Sequence, residues 1–213
     1  MSKISVPITN DFCPQTLFLY GTYGEDGAPD FGLFCWFSYC WDKELGVMMC
    51  IGGEKMTKDR ICKNKVFSAN LVTEKMLPLA DYLGNASGYD KSKMDFDLCV
   101  EKGEVLNVPI LSCSPVIFEL EADRSIPLDD GEVFICKIRN VLMDESLTDS
   151  VRGAGERISS VGEYSGDKKS VEERIRSIAP VHTTCSTYFS WNGVSLGEWG
   201  NVQKSFDPKK CEL

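Results

Sequence analysis

The stretch DFGLFCWFSYC, residues 30–40, decides how this chain is read. It is crowded with aromatic side chains, carries Cys35 and Cys40, and is apolar at odd and even positions alike. A half-exposed strand alternates; a run apolar on both faces suits a strand covered on both sides. Before it, TLFLYGTY (16–23) reads as a strand, and EDGAPD turns on Asp26, Gly27 and Pro29. After it, WDKELG turns again and VMMCIGG (47–53) returns as a third strand. Three strands joined by short turns predict an antiparallel meander.

The same reading runs on along the chain. TKDRICKNK (57–65) predicts a helix, with Thr57 as its cap and Asp59 in its first turn. VFSANLVT (66–73) predicts a strand, and residues 75–83 a short helix with Pro78 in its first turn. A strand is expected at 116–121 and a long one within GEVFICKIRNVLMDE. Residues 149–170, rich in glycine and charge, predict an exposed excursion, and 171–179 a short helix. STYFSWNG predicts a last strand, and the tail from Gly200 a polar surface segment. Many strands with few helices predict a mainly β fold, a β-barrel with helical decoration. The 213 residues suffice for a single domain with one sizeable core.

Charge narrows the partners. Lys and Arg total 23 against 32 Asp and Glu, a net charge of −9. Nucleic acid and anionic membrane surfaces both call for a basic face, so neither is expected. The start, MSKISVPITNDF, carries no apolar run of the signal-peptide kind, and no stretch has the length of a membrane span. The expected location is cytoplasmic. Ten cysteines include no C-x-x-C pair, the spacing that zinc and iron–sulfur sites commonly use. No metal is expected, and most of the thiols are read as reduced, buried, small hydrophobes.

CIGGEKMTKDR (50–60) carries the chemistry. A strand ends in two glycines, and a lysine precedes a helix start. Glycines let backbone approach a ligand closely. A helix N-terminus offers unpaired N–H groups and a favourable dipole to an anion. Lys55, Lys58 and Arg60 add positive charge, and the Thr57 hydroxyl can donate. The alternative is an ordinary strand–turn–helix with solvated lysines, and this stretch alone leaves both open. The aromatic strand is equally two-sided. Trp36 can border a planar ring system whose edge the 37–39 backbone would meet, or the aromatics simply fill a core. The single histidine, His182, offers little acid–base machinery. A cofactor pocket without such machinery leaves the chemistry to the cofactor.

Taken in order, these motifs resemble the flavin reductase-like family, which includes flavoredoxin. The resemblance is carried by DGAPDFGLFCWFSYC, GGEKMTKDRICKNKVFSANLV, GNASGYDKSKMDF, SPVIFELE and GEVFICKIRNVLMDE, then by IAPVHTTCSTYFSWNGVSLGEWG near the end. It covers roughly residues 12–145 and 178–200. It implies an antiparallel, Greek-key split β-barrel with a few short helices, a homodimer, and FMN bound non-covalently near the subunit interface. It implies electrons drawn from NADH or NADPH, or relayed with a redox protein partner as in an electron carrier. By matching position it places Trp36, Phe37 and Ser38 along the flavin ring and Lys55 and Thr57 at the phosphate. Ser68, Ala69 and Asn70 would border the flavin. Lys93 would reach the phosphate or ring edge, with Lys91 in the competing register. No catalytic side chain is assigned. Two departures stand out: Asp30 occupies a position often held by Asn, and Asp130, Gly131 and Glu132 stand where several relatives have a histidine.

Overall fold

The computed structural model describes residues 3–147 and 171–208. Its elements, in order, are β1 (Gln15–Thr16), β2 (Phe18–Tyr23), β3 (Pro29–Phe34), β4 (Phe37–Asp42), β5 (Glu44–Gly52), α1 (Met56–Asn64), β6 (Val66–Leu71) and α2 (Leu77–Asn85). There follow β7 (Val100–Lys102), β8 (Pro109–Leu111), β9 (Val116–Leu128), β10 (Gly131–Met143), α3 (Val171–Ile178), β11 (His182–Thr184), β12 (Thr187–Phe189) and β13 (Ser195–Glu198). The fold is mainly β with three helices, and every pairing between strands is antiparallel.

The expected strand at 31–40 is broken. Cys35 and Trp36 belong to no strand, and the two halves lie at opposite edges of one seven-stranded sheet, in the order β3-β2-β6-β9-β10-β5-β4. Two residues can join the two edges only if the sheet curls until its edges meet. The seam is then closed by side chains rather than by a backbone ladder. Phe37 of β4 stacks on Phe18 of β2 with ring centroids 4.3 Å apart, and Tyr20 stacks on Phe34 at 4.7 Å. Phe18, Tyr20, Met49, Ile51, Phe67, Phe118, Leu120 and Phe134 fill the enclosed space. On β2 the alternation is plain. Phe18 and Tyr20 point into the barrel, while Leu17 and Leu19 pack outward with Phe31, Leu33 and α2. The β3 half of the run at 31–40 is likewise covered on both sides, whereas β4 is largely exposed, so the expectation of a strand covered on both faces holds only for the first half.

The strand expected at 116–121 continues to Leu128 and pairs along its whole length with β10, which also pairs with β5. The hairpin turns on Asp129 and Asp130 into Gly131 at φ +148°. A Cβ there would come within 2.8 Å of the Ile51 carbonyl, so both the angle and the space require glycine. The final segment makes a second sheet, β1-β11-β12-β13, rather than one strand. The tail is less detached than its polarity suggested, since Phe206 packs on Tyr82 and Phe96. The excursion at 149–170 lies outside the described residues. Among the described cysteines all are free, but only Cys136 is fully buried, while Cys13, Cys99 and Cys185 are exposed. Among the described residues no helix is long and apolar enough to cross a membrane.

Glu119 of β9 is fully buried in the barrel wall. Its carboxylate accepts from the N–H groups of Glu104, Val105 and Leu106, at 3.0, 3.0 and 2.5 Å, and from the Asn140 amide at 2.9 Å. One side chain thus ties the loop before β8 to the barrel. Glu119→Ala removes the shared acceptor of these four partly buried hydrogen bonds, and we expect it to destabilise the fold by about 3 kcal/mol. Urea unfolding of the two proteins measures this.

Candidate functional site

A cavity of about 650 Å³ opens at the end of the barrel, beside the break between β3 and β4. Pockets of this size suit small molecules and cofactors. The carboxyl end of β5 delivers Cys50, Gly52 and Gly53 to one wall, and Lys55, Met56 and Thr57 follow at the start of α1. The carboxyl end of α2 and the loop through Gly88 and Tyr89 form another wall. Trp36, Leu128, Asp130 and Trp199 complete the lining.

The start of α1 differs from its expected form. Its N-cap is Lys55, not Thr57, and no side chain caps it. Thr57 lies one position inside the first turn and is buried. Its hydroxyl sits so close to β3 that a Cβ on Gly32 would lie 2.8 Å from Oγ1. No side chain therefore serves the N–H groups at the start of α1, where Lys55, Met56 and Thr57 line the cavity. Of the three basic residues read as an anion cradle, only Lys55 lines it. Lys58 donates to the Gly53 carbonyl at 2.6 Å and holds the strand end in place. Arg60 donates to the carbonyls of Thr22 and Ala28 and secures the β2–β3 hairpin instead.

Trp36 is 51% exposed, and a Cβ on Gly52 would lie 3.5 Å from its ring. The Trp36 carbonyl accepts from the Cys50 N–H, so the break in the strand run has a fixed geometry. Phe37 points instead into the barrel core, where it stacks on Phe18. Ser38 is exposed on the outer side of β4, away from the cavity lining. Ser68, Ala69 and Asn70 are fully buried in β6 and do not line the cavity. Asn70 donates to the Leu19 carbonyl and accepts from the Leu111 N–H, each at 2.9 Å, while Ser68 donates to Pro109. Their hydrogen bonds are spent on joining β2, β6 and β8.

Lys93 lines the cavity although it is only 4% exposed; Lys91, the competing register, does not. Its Nζ lies 2.9 Å from Asp30 Oδ1 and donates to the Phe31 carbonyl at 2.5 Å. Burial pulls the Lys93 ammonium below its ordinary pKa, and the neighbouring Asp30 carboxylate opposes that pull. The unusual Asp30 is therefore a counter-ion on the strand behind the cavity. Its second oxygen is buried without a hydrogen-bond partner, 3.2 Å from where a Cβ on Gly88 would stand. Tyr89 closes the loop onto α1 by donating to Asp59 Oδ2 at 2.6 Å, which pushes the phenol up to about 12. His182 lies in β11, outside the cavity lining, and burial lowers its pKa below 6.5. Among the described residues no group of His, Cys, Asp or Glu could hold a metal ion.

The α2 end and Trp199 fall inside the segments that carried the resemblance but were given no site role, and Leu128 had no signal; all three reach the cavity through the tertiary fold. The sequence reading did reach Trp36, Lys55, Thr57 and Lys93.

The residues at 11–154 match the model of the flavin reductase like domain, and the chain belongs to that family. A search of curated proteins gave no match to the sequence. Among solved structures, flavoredoxin from Methanosarcina acetivorans is similar with a TM-score of 0.70 at 18% identity, covering 96% of this chain and 99% of that one. Flavoredoxin of Desulfovibrio vulgaris (Miyazaki F) gives 0.68 at 22% identity, covering 89% and 93%. A protein from Shewanella frigidimarina NCIMB 400, assigned as a flavin reductase with a split barrel domain, gives 0.67 at 15% identity, covering 87% and 86%. The fold is the split barrel that these structures share.

Removing one member of the buried pair leaves the other charge uncompensated. We expect Lys93→Met to cost about 3 kcal/mol, and Asp30→Asn combined with Lys93→Met to recover most of that loss. A double-mutant cycle by urea unfolding reads both values.

Proposed function

We propose that the cavity holds FMN non-covalently and that the protein is an NAD(P)H-dependent flavin reductase, taking electrons from NADH or NADPH. The observation that carries the reading is the uncapped start of α1 at the cavity wall. There Lys55, Thr57 and a first turn that no side chain caps line the same cavity as Trp36. One part of the cavity thus suits a phosphate and another a flat aromatic ring. Lys55, Thr57 and the first-turn amides would hold the phosphate, with Lys93 adding charge from the short helical turn at 91–94. Trp36 and the Gly52–Gly53 backbone would border the ring. FMN, when bound, supplies the two-electron chemistry, and the protein supplies position and electrostatics.

Removing one charge-assisted contact and one hydroxyl contact at the phosphate weakens binding substantially. We expect Lys55→Ala with Thr57→Ala to raise the FMN dissociation constant at least about tenfold. A fluorescence titration that finds wild-type affinity overturns the phosphate assignment. Bleaching of the flavin spectrum by NADH or NADPH under anaerobic conditions supports the reductase. The net charge of −9 favours a second reading, an electron carrier that docks on a basic redox protein. Bleaching by dithionite but by neither nucleotide decides for the carrier.

The reading extends to a homodimer. Met48 and Cys50 of β5, Val133 and Ile135 of β10, and Ile126 and Leu128 of β9 share the outer face of adjoining strands. Met48, Ile126 and Leu128 are exposed there, and Leu128 also lines the cavity. An apolar face of this kind marks an association surface. A second copy seated on it would wall the open side of the cavity. Met48→Glu is expected to shift the protein from dimer to monomer in sedimentation velocity.

A further inference from the structure

Trp199 reaches the cavity from a part of the chain that the family match does not include. The match ends at residue 154, and Trp199 follows β13. Its N–H donates to the Ser186 carbonyl at 2.8 Å. The turn that carries it is held by Asp81 of α2, which is fully buried. Oδ1 accepts from the Gly200 N–H at 2.9 Å, the Tyr188 hydroxyl at 2.7 Å and the Asn85 amide at 3.1 Å. Oδ2 accepts from the Gln203 N–H at 2.8 Å. Gly200 stands at φ +76°, where a Cβ would lie 3.3 Å from Asn85 Oδ1, and Asn85 itself lines the cavity. One carboxylate therefore fixes the end of α2, a strand of the second sheet and the turn bearing Trp199 in a single arrangement. The indole is left 45% exposed at the cavity wall. Trp191, similarly exposed, does not line the cavity.

We propose that Trp199 is the access-determining residue of this site. Held in place by Asp81, its indole covers the ring end of bound FMN, slows its escape and admits a flat ring such as nicotinamide beside it. The inference rests on the FMN-binding reading above. A planar indole suits this task because ring-on-ring contact is selective for flat partners and rigid at low entropic cost. Asp81 is then a positioning residue, which acts on the ligand only through the turn.

The test uses the full chain loaded with FMN. Cofactor release is followed by the recovery of FMN fluorescence on dilution, and steady-state kinetics give KM and kcat for the nicotinamide. Trp199→Ala should release FMN about tenfold faster, with a higher nicotinamide KM and kcat within about twofold. Trp199→Phe should restore most of the slow release, and Trp191→Ala should match wild type. Asp81→Asn should mimic Trp199→Ala without substituting any residue that lines the cavity. Release from Trp199→Ala at the wild-type rate overturns the proposal, and this exposed position does not threaten folding. Wild-type protein that takes up no FMN overturns the site reading instead, which is a different result.

Discussion

Phe37 stacks on Phe18 across a seam where no backbone ladder runs, and the barrel depends on this side-chain closure. Among the described residues, strands β3 and β4 have no partner strand at their outer backbone edges, yet only Cys35 and Trp36 separate them in the chain. The sheet must curl to satisfy that short connection. What holds the edges near one another is the aromatic cluster of Phe18, Phe37 and Phe118, with Tyr20 and Phe34 beside it. Aromatic pairs are worth about 0.5–1.5 kcal/mol beyond the area they bury. The seam is therefore a favourable but incomplete closure. Where the aromatic packing ends, the barrel stays open, and there the cavity lies. Trp36, forced out of the ladder by the same break, becomes part of its wall.

Three buried carboxylates do what the apolar core cannot. Glu119, Asp81 and Asp30 are all essentially inaccessible to solvent. Glu119 collects the amides of the loop before β8, and Asp81 collects those of the carboxyl-terminal turn. Burying a charge costs several kcal/mol unless donors surround it, so each of these sites holds its partners in a defined geometry. Asp30 differs, because its partner is a cation and one of its oxygens is left over. It keeps a charged amine at the floor of the cavity that burial alone would push towards neutrality.

The two hairpins within the expected meander, α1 and the β10 strand were legible because turn residues and periodicity are local signals. The break at Cys35 was not, because its cause is closure of a barrel between strands far apart in the sheet. A run apolar on both faces reads as one buried strand, whereas here it is two strands whose shared feature is a common core. Lys55 and Trp36 were found because strand end, glycine pair and helix start lie together in sequence. Thr57 was taken for a cap because caps are recognised by residue type, while its burial against Gly32 is a tertiary fact. Ser68 and Asn70 look like site residues in a short polar motif. Their partners, Pro109 and Leu111, lie some forty residues further along the chain. Asp81 and Trp199, more than a hundred residues apart, share no local signal at all.

The cavity joins two kinds of wall with different physical origins. The β5 end and the α1 start are extensions of the barrel, fixed by ladder hydrogen bonds and by Lys58 on Gly53. The loop at Tyr89 and the turn at Trp199 are held by a handful of hydrogen bonds instead, chiefly to Asp59 and Asp81 and, for the turn, to the Ser186 carbonyl. Rigid backbone suits an anion, whose recognition needs several N–H groups aimed at one point. A wall held by a few hydrogen bonds can open locally at far lower cost than the barrel can unfold. On the FMN reading this places the fixed wall at the phosphate and the movable wall at the ring. Anchoring of the phosphate is then set by the barrel, while escape and access at the ring also depend on Trp199, which lies outside the matched residues.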